Sequence, residues 1–235
     1  MMTELTLPII GYMHSSYKEK FGIPRQPNLV QVESYIEMSV PYNDVLAFEG
    51  IEAFSHLWLL WQFHDNKNPE KTQFRPQVRP PRLGGNKKIG VFATRSMYRP
   101  SPIGLSVVRL KCVKKVGKSV RVYVTGSDLL DGTPIVDIKP YIHYSDAVID
   151  AESGYAQDEP KRKSVMWSDR AIEQKQQLLM SGKLSLLTVQ ELEAVLSLDP
   201  RPAYQDDEAR IYGMKFANLD VKFKVNETCI EIQEL

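Results

Sequence analysis

Residues 103–124 read IGLSVVRLKCVKKVGKSVRVYV, and this stretch decides the fold class. Its first part, Ile103 to Val113, predicts a strand. After the turn residues 117–119, valines at 120, 122 and 124 alternate with Arg121, Tyr123 and Thr125. Alternation with a period of two is typical of a strand that buries one face. The stretch therefore predicts a β-hairpin.

Further strand candidates lie on both sides of this hairpin. They are residues 5–13, 30–38, 54–63, 89–94 and 134–142, with Pro- and Gly-rich connections between them. Strands outnumber helices in this part of the chain, which favours a barrel or a sandwich over a doubly wound fold. No strand candidate is followed by the Gly-x-Gly-x-x-Gly turn of a Rossmann domain. The fold class is therefore predicted to be mainly β.

The pattern changes after about residue 145. Residues 146–164 are polar and predict a linker, whereas 170–180 and 188–198 have helical spacing. Thr188 and Glu191 form a capping-box pattern at the start of the second helix, and Asp199-Pro200 predicts its end. Three strand candidates follow, at residues 211–216, 221–225 and 229–232. We therefore expect two domains, residues 1–160 and a small α+β domain over residues 161–235.

Charge is divided unevenly along the chain. The 235 residues include 30 basic and 29 acidic ones, but residues 71–127 contain 14 Lys and Arg and no Asp or Glu. Such a separation of sign is expected of a surface that meets a polyanion such as RNA. The alternative is an ordinary solvated face, because a linear block need not fold into one contiguous patch.

Several classes of protein are disfavoured by what the sequence lacks. No apolar run approaches the roughly 18 to 20 residues that span a bilayer, and no secretory signal is visible. Cys112 and Cys229 lie far apart, which suits a reducing compartment. The four histidines show no zinc spacing, so no metal is predicted. We expect a soluble, cytoplasmic protein without a membrane partner.

Three segments could carry chemistry. Pro24-Arg25-Gln26-Pro27 fixes polar side chains on a rigid backbone, although it could equally be a plain surface turn. Residues 79–102 combine arginines, prolines and aromatic rings, the combination used on unstacked RNA bases. Asp128 and Asp131 return abruptly after the acid-free block, and can hold a cationic ligand or accept a proton. His64 ends a buried strand candidate, where a lone histidine more often has a structural role than a catalytic one.

Taken together, these segments resemble the TrmO family (YaeB/TsaA type). The resemblance lies in residues 17–21, 24–27, 52–58, 79–86, 90–96, 99–104, 131–141 and 199–204, and so covers nearly the whole chain. It implies an S-adenosylmethionine-dependent tRNA methyltransferase, which acts on N6 of threonylcarbamoyladenosine next to the anticodon of threonine tRNA. It also implies a small, non-Rossmann β-barrel as the N-terminal domain, and a homodimer as the working unit.

The resemblance also implies a cofactor site for S-adenosylmethionine. Its residues would be Pro24, Arg25, Gln26, His64, Asp65, Arg95, Leu105, Thr125, Gly126, Ser127 and Asp128. The anticodon stem-loop would meet Arg79, Arg82, Lys87, Lys88, Arg99, Lys139 and Tyr141. Arg95 or Arg99 could pair with the threonyl carboxylate of the substrate, because a guanidinium binds carboxylates in a bidentate manner.

The attacking nitrogen must lose a proton during methyl transfer. We expect a carboxylate to accept it, Asp131 first and Asp128 second, or else His64. Two other functions stay open at this point. A non-catalytic RNA- or nucleotide-binding barrel would not bind the methyl donor. A hydrolase built on Asp128, Asp131 and His64 would turn over without a donor.

Overall fold

The computed structural model describes residues 5–65, 74–80, 83–84, 86–201 and 207–235. Six antiparallel strands close into a barrel, in the order β1-β2-β7-β6-β3-β8. The first eight strands are β1 (Gly11–His14), β2 (Glu33–Met38), β3 (His56–Gln62), β4 (Gln77–Val78), β5 (Ile89–Gly90), β6 (Ile103–Val116), β7 (Ser119–Thr125) and β8 (Pro134–Pro140). Strands β4 and β5 form a separate two-stranded ribbon. The predicted barrel is confirmed.

The predicted hairpin of residues 103–124 forms the longest strand pair of the barrel. Strands β6 and β7 are antiparallel, with a bulge between Leu110 and Cys112, and Gly117 adopts a positive φ of 61° in the turn. Only a residue without Cβ adopts such a backbone at no steric cost. Val108 and the alternating valines of β7 are fully buried inside the barrel. The period-two pattern thus identified the buried face correctly.

The C-terminal part is a small α+β unit, as predicted. After a short helix α1 (His143–Asp146) come β9 (Ser164–Trp167), α2 (Asp169–Met180), α3 (Leu186–Leu196), β10 (Tyr212–Phe216), β11 (Leu219–Val225) and β12 (Cys229–Glu234). The strands form one sheet in the order β10-β11-β12-β9, in which β9 is parallel to β12. The domain boundary at residues 160/161 stays a prediction. No helix within the described ranges is long and apolar enough to cross a membrane.

Some local predictions were wrong. Strand β1 begins at Gly11 rather than at Leu5, which is 81% exposed. Of the apolar run before β1, Ile10 still donates to the Ile135 carbonyl of β8 at 2.8 Å. Residues 89–94 are not one strand, because Val91–Ala93 turn into a 3-10 helix directly after β5. Strand β9 begins at Ser164, which was predicted to be the last residue of a linker. A strand of four residues is too short to be recognised from the sequence pattern alone.

The capping box was also wrong. Helix α3 is capped by Ser185, whose hydroxyl accepts from the Thr188 backbone N–H at 3.0 Å. Glu191 therefore has another role. Its Oε1 accepts from the Glu33 backbone N–H at 2.7 Å, and so joins α3 to the start of β2. The side chain is only 7% exposed, and burial raises its pKa to about 7, against the lowering effect of Lys111.

One hydrophobic core is shared by the two parts of the chain. The β1–β2 loop (residues 15–32) buries Tyr17, Val30 and Val32 in the same cluster as Phe216 and Phe223 of the C-terminal sheet. The Tyr17 ring meets the Phe216 ring edge-on, with centroids 6.0 Å apart. The barrel itself has a separate interior core. The β1–β2 loop thus leaves the barrel, packs against the C-terminal unit and returns.

We predict that Glu191→Gln stabilises the protein at alkaline pH. The folded Glu191 keeps its proton up to about pH 7, whereas an unfolded one loses it near 4.5. The folded state therefore binds more protons within this window, so the free energy of unfolding falls as pH rises through it. Glutamine keeps an acceptor for the Glu33 N–H and does not ionise. Denaturant unfolding should show a gain of about 2 kcal/mol at pH 8 and almost none at pH 4.5.

The matched control is Glu227→Gln, on the exposed turn before β12. It should leave the difference between the two pH values as in the unsubstituted protein. An equal gain from Glu191→Gln at both pH values would contradict a role for its ionisation.

Candidate functional site

A cavity of about 460 Å³ opens where β3 ends and β6 begins. Five parts of the chain surround it. They are the β1–β2 loop around residues 20–26, the end of β3 with residues 63–65, the loop of residues 95–99, the start of β6 at residues 103–105, and the segment of residues 128–133 that follows β7. Because neighbouring barrel strands are antiparallel, the ends of β3 and β7 and the start of β6 meet at one rim. The barrel topology therefore assembles the cavity.

Most of the residues expected around a cofactor line this cavity. They are Pro24, Arg25, Gln26, His64, Asp65, Arg95, Leu105 and Asp128, and Arg99 joins them. Thr125, Gly126 and Ser127 are buried and do not line it. Gly126 has a positive φ of 81°, and a Cβ there would lie 2.3 Å from Oδ1 of Asn28. These three residues therefore form the buried turn that presents Asp128.

Asp128 is the carboxylate at the centre of the site. Its Oδ1 accepts from the Ser106 hydroxyl at 2.6 Å, and that hydroxyl accepts from Trp61 Nε1 at 3.0 Å. Burial raises the pKa of Asp128 to about 6, although the Ser106 hydrogen bond and the charge of Arg95 act in the opposite direction. A carboxyl with this pKa is mostly ionised at neutral pH and is more basic than an ordinary aspartate. It can therefore act as a general base.

The Trp61 ring owes its position to a glycine. A Cβ at Gly104 would lie 2.2 Å from Cε2 of the Trp61 indole, so only glycine allows the ring to lie against β6 at this point. The ring also meets Phe63 edge-on, with centroids 4.5 Å apart. Both contacts fix the indole N–H that holds Ser106.

Asp131, the first choice for a base, lies elsewhere. Its Oδ1 accepts from the Ser15 backbone N–H at 2.9 Å, and its Oδ2 pairs with Lys18 at 2.9 Å. It does not line the cavity. Both carboxylate oxygens thus hold the turn against the end of β1. The geometry favours Asp128 over Asp131 as a proton acceptor.

His64 lines the same rim with Asp65 and Lys20. Lys20 pairs with Asp65, with 3.6 Å between Nζ and Oδ2. Desolvation lowers the pKa of His64 below its ordinary value, Lys20 acts in the same direction and Asp65 opposes it. The imidazole is therefore mostly neutral at pH 7, and it can accept or donate a hydrogen bond.

Three arginines stand at the rim of the cavity. Arg95 donates from Nη1 to Gln26 Oε1 at 2.5 Å, and Arg99 donates from Nη2 to the Thr94 carbonyl at 2.7 Å. Arg25 donates from Nη2 to the Arg201 carbonyl at 3.2 Å, which brings the C-terminal part to the site. A guanidinium has five N–H donors, so each retains donors for an anion.

The basic block does not form one patch. Arg79, Lys87 and Lys88 are exposed beside the β4–β5 ribbon, whose loop continues into Arg95 and Arg99. Lys114 and Lys115 lie near the other end of β6. At about 3.3 Å per residue they are about 30 Å from Leu105. The polyanion prediction therefore applies best to the cavity side of the molecule.

The remaining residues predicted to contact RNA lie at different places in the structure. Lys139 is exposed and pairs with Asp137, with 2.8 Å between Nζ and Oδ2. The Tyr141 ring lies 5.8 Å from that of Trp58, which lines the cavity. Arg82, and Lys71 at the start of the basic block, lie outside the described residues.

Sequence reasoning missed the apolar wall and the support of Asp128. Trp58, Trp61 and Phe63 line the cavity, and Ser106 holds the carboxylate. Ser106 is 1% exposed within an otherwise apolar stretch of β6. A buried hydroxyl needs a hydrogen-bond partner. A serine within an apolar strand was therefore the sequence signal that could have pointed to this contact.

Comparison with known proteins gives consistent matches along the chain. The family model for the tRNA-methyltransferase O N-terminal domain matches residues 12–147, and the model for the TrmO C-terminal domain matches residues 160–235. The chain is 42% identical over 234 residues to the tRNA (adenine(37)-N6)-methyltransferase of Escherichia coli (strain K12), which covers 98% of this chain and 97% of that protein.

Two Pseudomonas aeruginosa proteins are also similar. A putative S-adenosylmethionine-dependent methyltransferase, RcsF, is 46% identical over 223 residues, or 94% of this chain and 92% of the relative. A crystal structure of TrmO from P. aeruginosa superposes with a TM-score of 0.79 at 37% identity, and covers 100% of this chain and 97% of that one. The similarity therefore extends over both the barrel and the C-terminal part.

Proposed function

This chain belongs to the TrmO family, and we propose that it transfers a methyl group from S-adenosylmethionine to N6 of the adenosine next to the anticodon of a tRNA. We propose further that the adenosine is threonylcarbamoyladenosine in threonine tRNA, and that the reaction takes place in the cytoplasm. The observation that carries the proposal is Asp128, a carboxylate of raised pKa in a cavity rimmed by Arg25, Arg95 and Arg99.

The cavity fits the methyl donor. Trp58, Trp61 and Leu105 give it an apolar wall suited to an adenine ring. Asp65 and Arg25 give the rim opposite charges, which suit the amino and carboxylate groups of the donor. When bound, the donor supplies an activated methyl group on a sulfonium. The residues of the site then need to align the acceptor nitrogen and exclude water, and positioning of this kind contributes about 7–11 kcal/mol in well-oriented cases.

Asp128 would perform the proton transfer. The N6 nitrogen of threonylcarbamoyladenosine is urea-like, and it is a poor nucleophile while it keeps its proton. Asp128 accepts that proton as the new N–C bond forms and the methyl–sulfur bond breaks, which leaves a neutral thioether. Ser106 and Trp61 hold the carboxylate in place, at 2.6 and 3.0 Å along their chain of hydrogen bonds. General-base action of this kind contributes about 10²–10⁴-fold to rate.

The proposed preference of the enzyme for a modified base rests on the arginines. A threonylcarbamoyl group carries a carboxylate, which plain adenosine lacks. Arg95 donates to Gln26 and Arg99 to the Thr94 carbonyl, and each guanidinium has further N–H donors. Either can therefore pair with that carboxylate in a bidentate manner. Sites that bind a polar group in this way discriminate strongly against an analogue without it.

The test is methyl transfer to two matched tRNAs. The purified protein is incubated with S-adenosylmethionine and threonine tRNA that either carries or lacks the threonylcarbamoyl group. The tRNA is then digested, and the masses of its nucleosides are measured by mass spectrometry. We expect a gain of one methyl on threonylcarbamoyladenosine alone. Calorimetry that shows no donor binding would point to a non-catalytic binding barrel. A product formed without donor would point to a hydrolase.

We predict that Asp128→Asn lowers turnover at least 100-fold, because it removes the proton acceptor. Asp131→Asn is the matched control. It keeps an acceptor for Ser15, so it should leave turnover within about threefold and lower stability instead. Loss of turnover in Asp131→Asn alone would restore Asp131 as the base.

Turnover of the unsubstituted protein should rise with pH through about 6, where Asp128 ionises. Ser106→Ala removes a hydrogen bond that lowers the pKa of Asp128, so it should move the pH profile of turnover to higher pH.

We predict that the ribbon lysines bind tRNA phosphates. Lys87→Ala with Lys88→Ala should weaken tRNA binding and reduce the slope of log affinity against log salt, by about 0.9 for each duplex phosphate that the variant no longer neutralises. Lys114→Ala with Lys115→Ala removes the same charge at the other end of β6, and should leave the slope nearly unchanged. Equal effects of the two pairs, measured by filter binding across a salt series, would count against the proposed orientation.

We propose that the working unit is a homodimer. Phe74, before β4, and Phe92, after β5, are 51% and 75% exposed, with ring centroids 6.4 Å apart. Contiguous exposed apolar groups commonly mark an interaction surface. Light scattering at assay concentration should give twice the mass of the chain. A monomeric mass in an active sample would refute the dimer.

A further inference from the structure

The turn Pro24–Gln26 lines the cavity, and the loop that carries it also contacts the C-terminal part of the chain. We propose that this part positions the turn for the methyl donor, and that Arg201 is the positioning residue, acting through Arg25. The inference rests on the proposed function and deepens it. It assigns a role to Asp199-Pro200-Arg201, a segment that the barrel chemistry does not use.

The approach to the turn is packed against the C-terminal sheet. The Phe21 ring stacks on that of Phe223 in β11, with centroids 6.2 Å apart and planes 14° from parallel. A Cβ at Gly22 would lie 2.1 Å from Sδ of Met214 in β10, and Gly22 has a positive φ of 93°. A side chain at position 22 would therefore force the turn away from β10.

Hydrogen bonds fasten the β1–β2 loop on both sides of the turn. Before it, the Ala217 N–H donates to the Ser16 carbonyl at 2.8 Å, and the Lys215 N–H donates to Glu19 Oε1 at 2.8 Å. After it, the Arg162 guanidinium donates to the Leu29 carbonyl. The donors all belong to the C-terminal side of the chain. The loop is therefore held from the C-terminal side as well as from the barrel, where the Asn28 N–H donates to the Gly126 carbonyl at 2.8 Å.

Within the turn, Arg25 bonds to a residue that an ion pair fixes. Arg25 donates to the Arg201 carbonyl at 3.2 Å. The Arg201 guanidinium is buried and forms a two-pronged pair with Asp199, at 2.9 Å from Nε to Oδ1 and 2.9 Å from Nη2 to Oδ2. Lys163 adds a second cation 3.6 Å from Asp199 Oδ2. Because both side chains are fixed, the carbonyl that receives Arg25 is fixed as well.

The same chain of contacts continues into the cavity. Arg25 and Gln26 are neighbours in sequence and both line it, and Arg95 separately anchors Gln26 by donating to its Oε1. A shift of the Arg201 carbonyl therefore displaces Arg25 first within the site for the methyl donor. Asp128 is held by the Ser106 hydroxyl, and Lys87 and Lys88 are exposed beside the ribbon, so neither depends on the Arg201 carbonyl. The expected consequence is a change in donor affinity, with little change in the proton-transfer step or in tRNA binding.

The test is Asp199→Asn, which weakens the pair that fixes Arg201. Its matched control is Glu234→Gln, which breaks an exposed pair with Arg170 in the same part of the chain, 2.7 Å between N and O. We expect the KM for S-adenosylmethionine to rise about 5- to 10-fold in Asp199→Asn, the size of one ordinary hydrogen bond. The kcat at saturating donor and the KM for tRNA should stay within about twofold, as in the control.

A double-mutant cycle separates positioning from general stability. Arg25→Ala removes the group through which Arg201 acts, so Asp199→Asn should cost almost no further donor affinity in that background. Additive losses would overturn the proposal, and so would a fall in kcat alone. If Asp199→Asn fails to fold, Arg201→Lys replaces it in the cycle, because lysine keeps the charge but not the two-pronged geometry.

Hydrogen exchange gives a reading that needs no donor. Peptides covering residues 19–29 should exchange faster in Asp199→Asn than in Glu234→Gln, while β6 and β7 peptides stay protected in both. If the unsubstituted protein does not bind the methyl donor, the proposed function fails, and this exchange still decides whether Arg201 holds the turn. Unchanged exchange at residues 19–29 would overturn the positioning role, whatever the enzyme does.

Discussion

The β1–β2 loop has to satisfy two packing requirements at once, and the site depends on both. Its ends belong to neighbouring strands of a closed barrel, whereas Tyr17, Val30 and Val32 are buried in the core of the C-terminal unit. Burial of large side chains contributes about 1.5–3 kcal/mol each, so the loop has little freedom to leave that core. The residues between these anchors reach the cavity. A barrel that carried this loop free in solvent would have to order it for each donor molecule, at a cost of about 1–2 kcal/mol per residue.

Asp128 and Asp131 show how environment separates the roles of two similar groups. They lie three residues apart on one turn, and the prediction from sequence put Asp131 first as a base. Asp131 has a backbone donor on one oxygen and the Lys18 cation on the other, so its charged form is engaged in holding the turn. Asp128 accepts from the Ser106 hydroxyl, and its burial raises its pKa to about 6. The same short segment thus carries a carboxylate engaged in structural contacts and one that we propose as the proton acceptor.

Sequence predicted the parts of this structure whose pattern is local. The alternation in residues 120–124 identified a strand and its buried face, and the helical spacing of 170–180 and 188–198 found both long helices within a few residues. The misses arose where tertiary contacts decide. Ser185, not Thr188, caps α3, and Glu191 instead reaches across the interface to the Glu33 N–H. The chain turns at Val91–Ala93 directly after β5, which pairs with the two-residue strand β4.

The same distinction between local patterns and tertiary contacts applies to the candidate site. Residues of a family motif, such as Pro24 to Gln26 and Arg95, were predicted and do lie together on the cavity. Ser106 and Trp61 were not, because their importance arises from a register in which Gly104 faces Trp61 and Ser106 faces Asp128. The basic block illustrates the opposite error. Residues that are close together along the chain are separated by the length of β6, so one linear feature becomes two surfaces. Charge along a chain therefore indicates a polyanion partner only after the strands have shown which charges share a face.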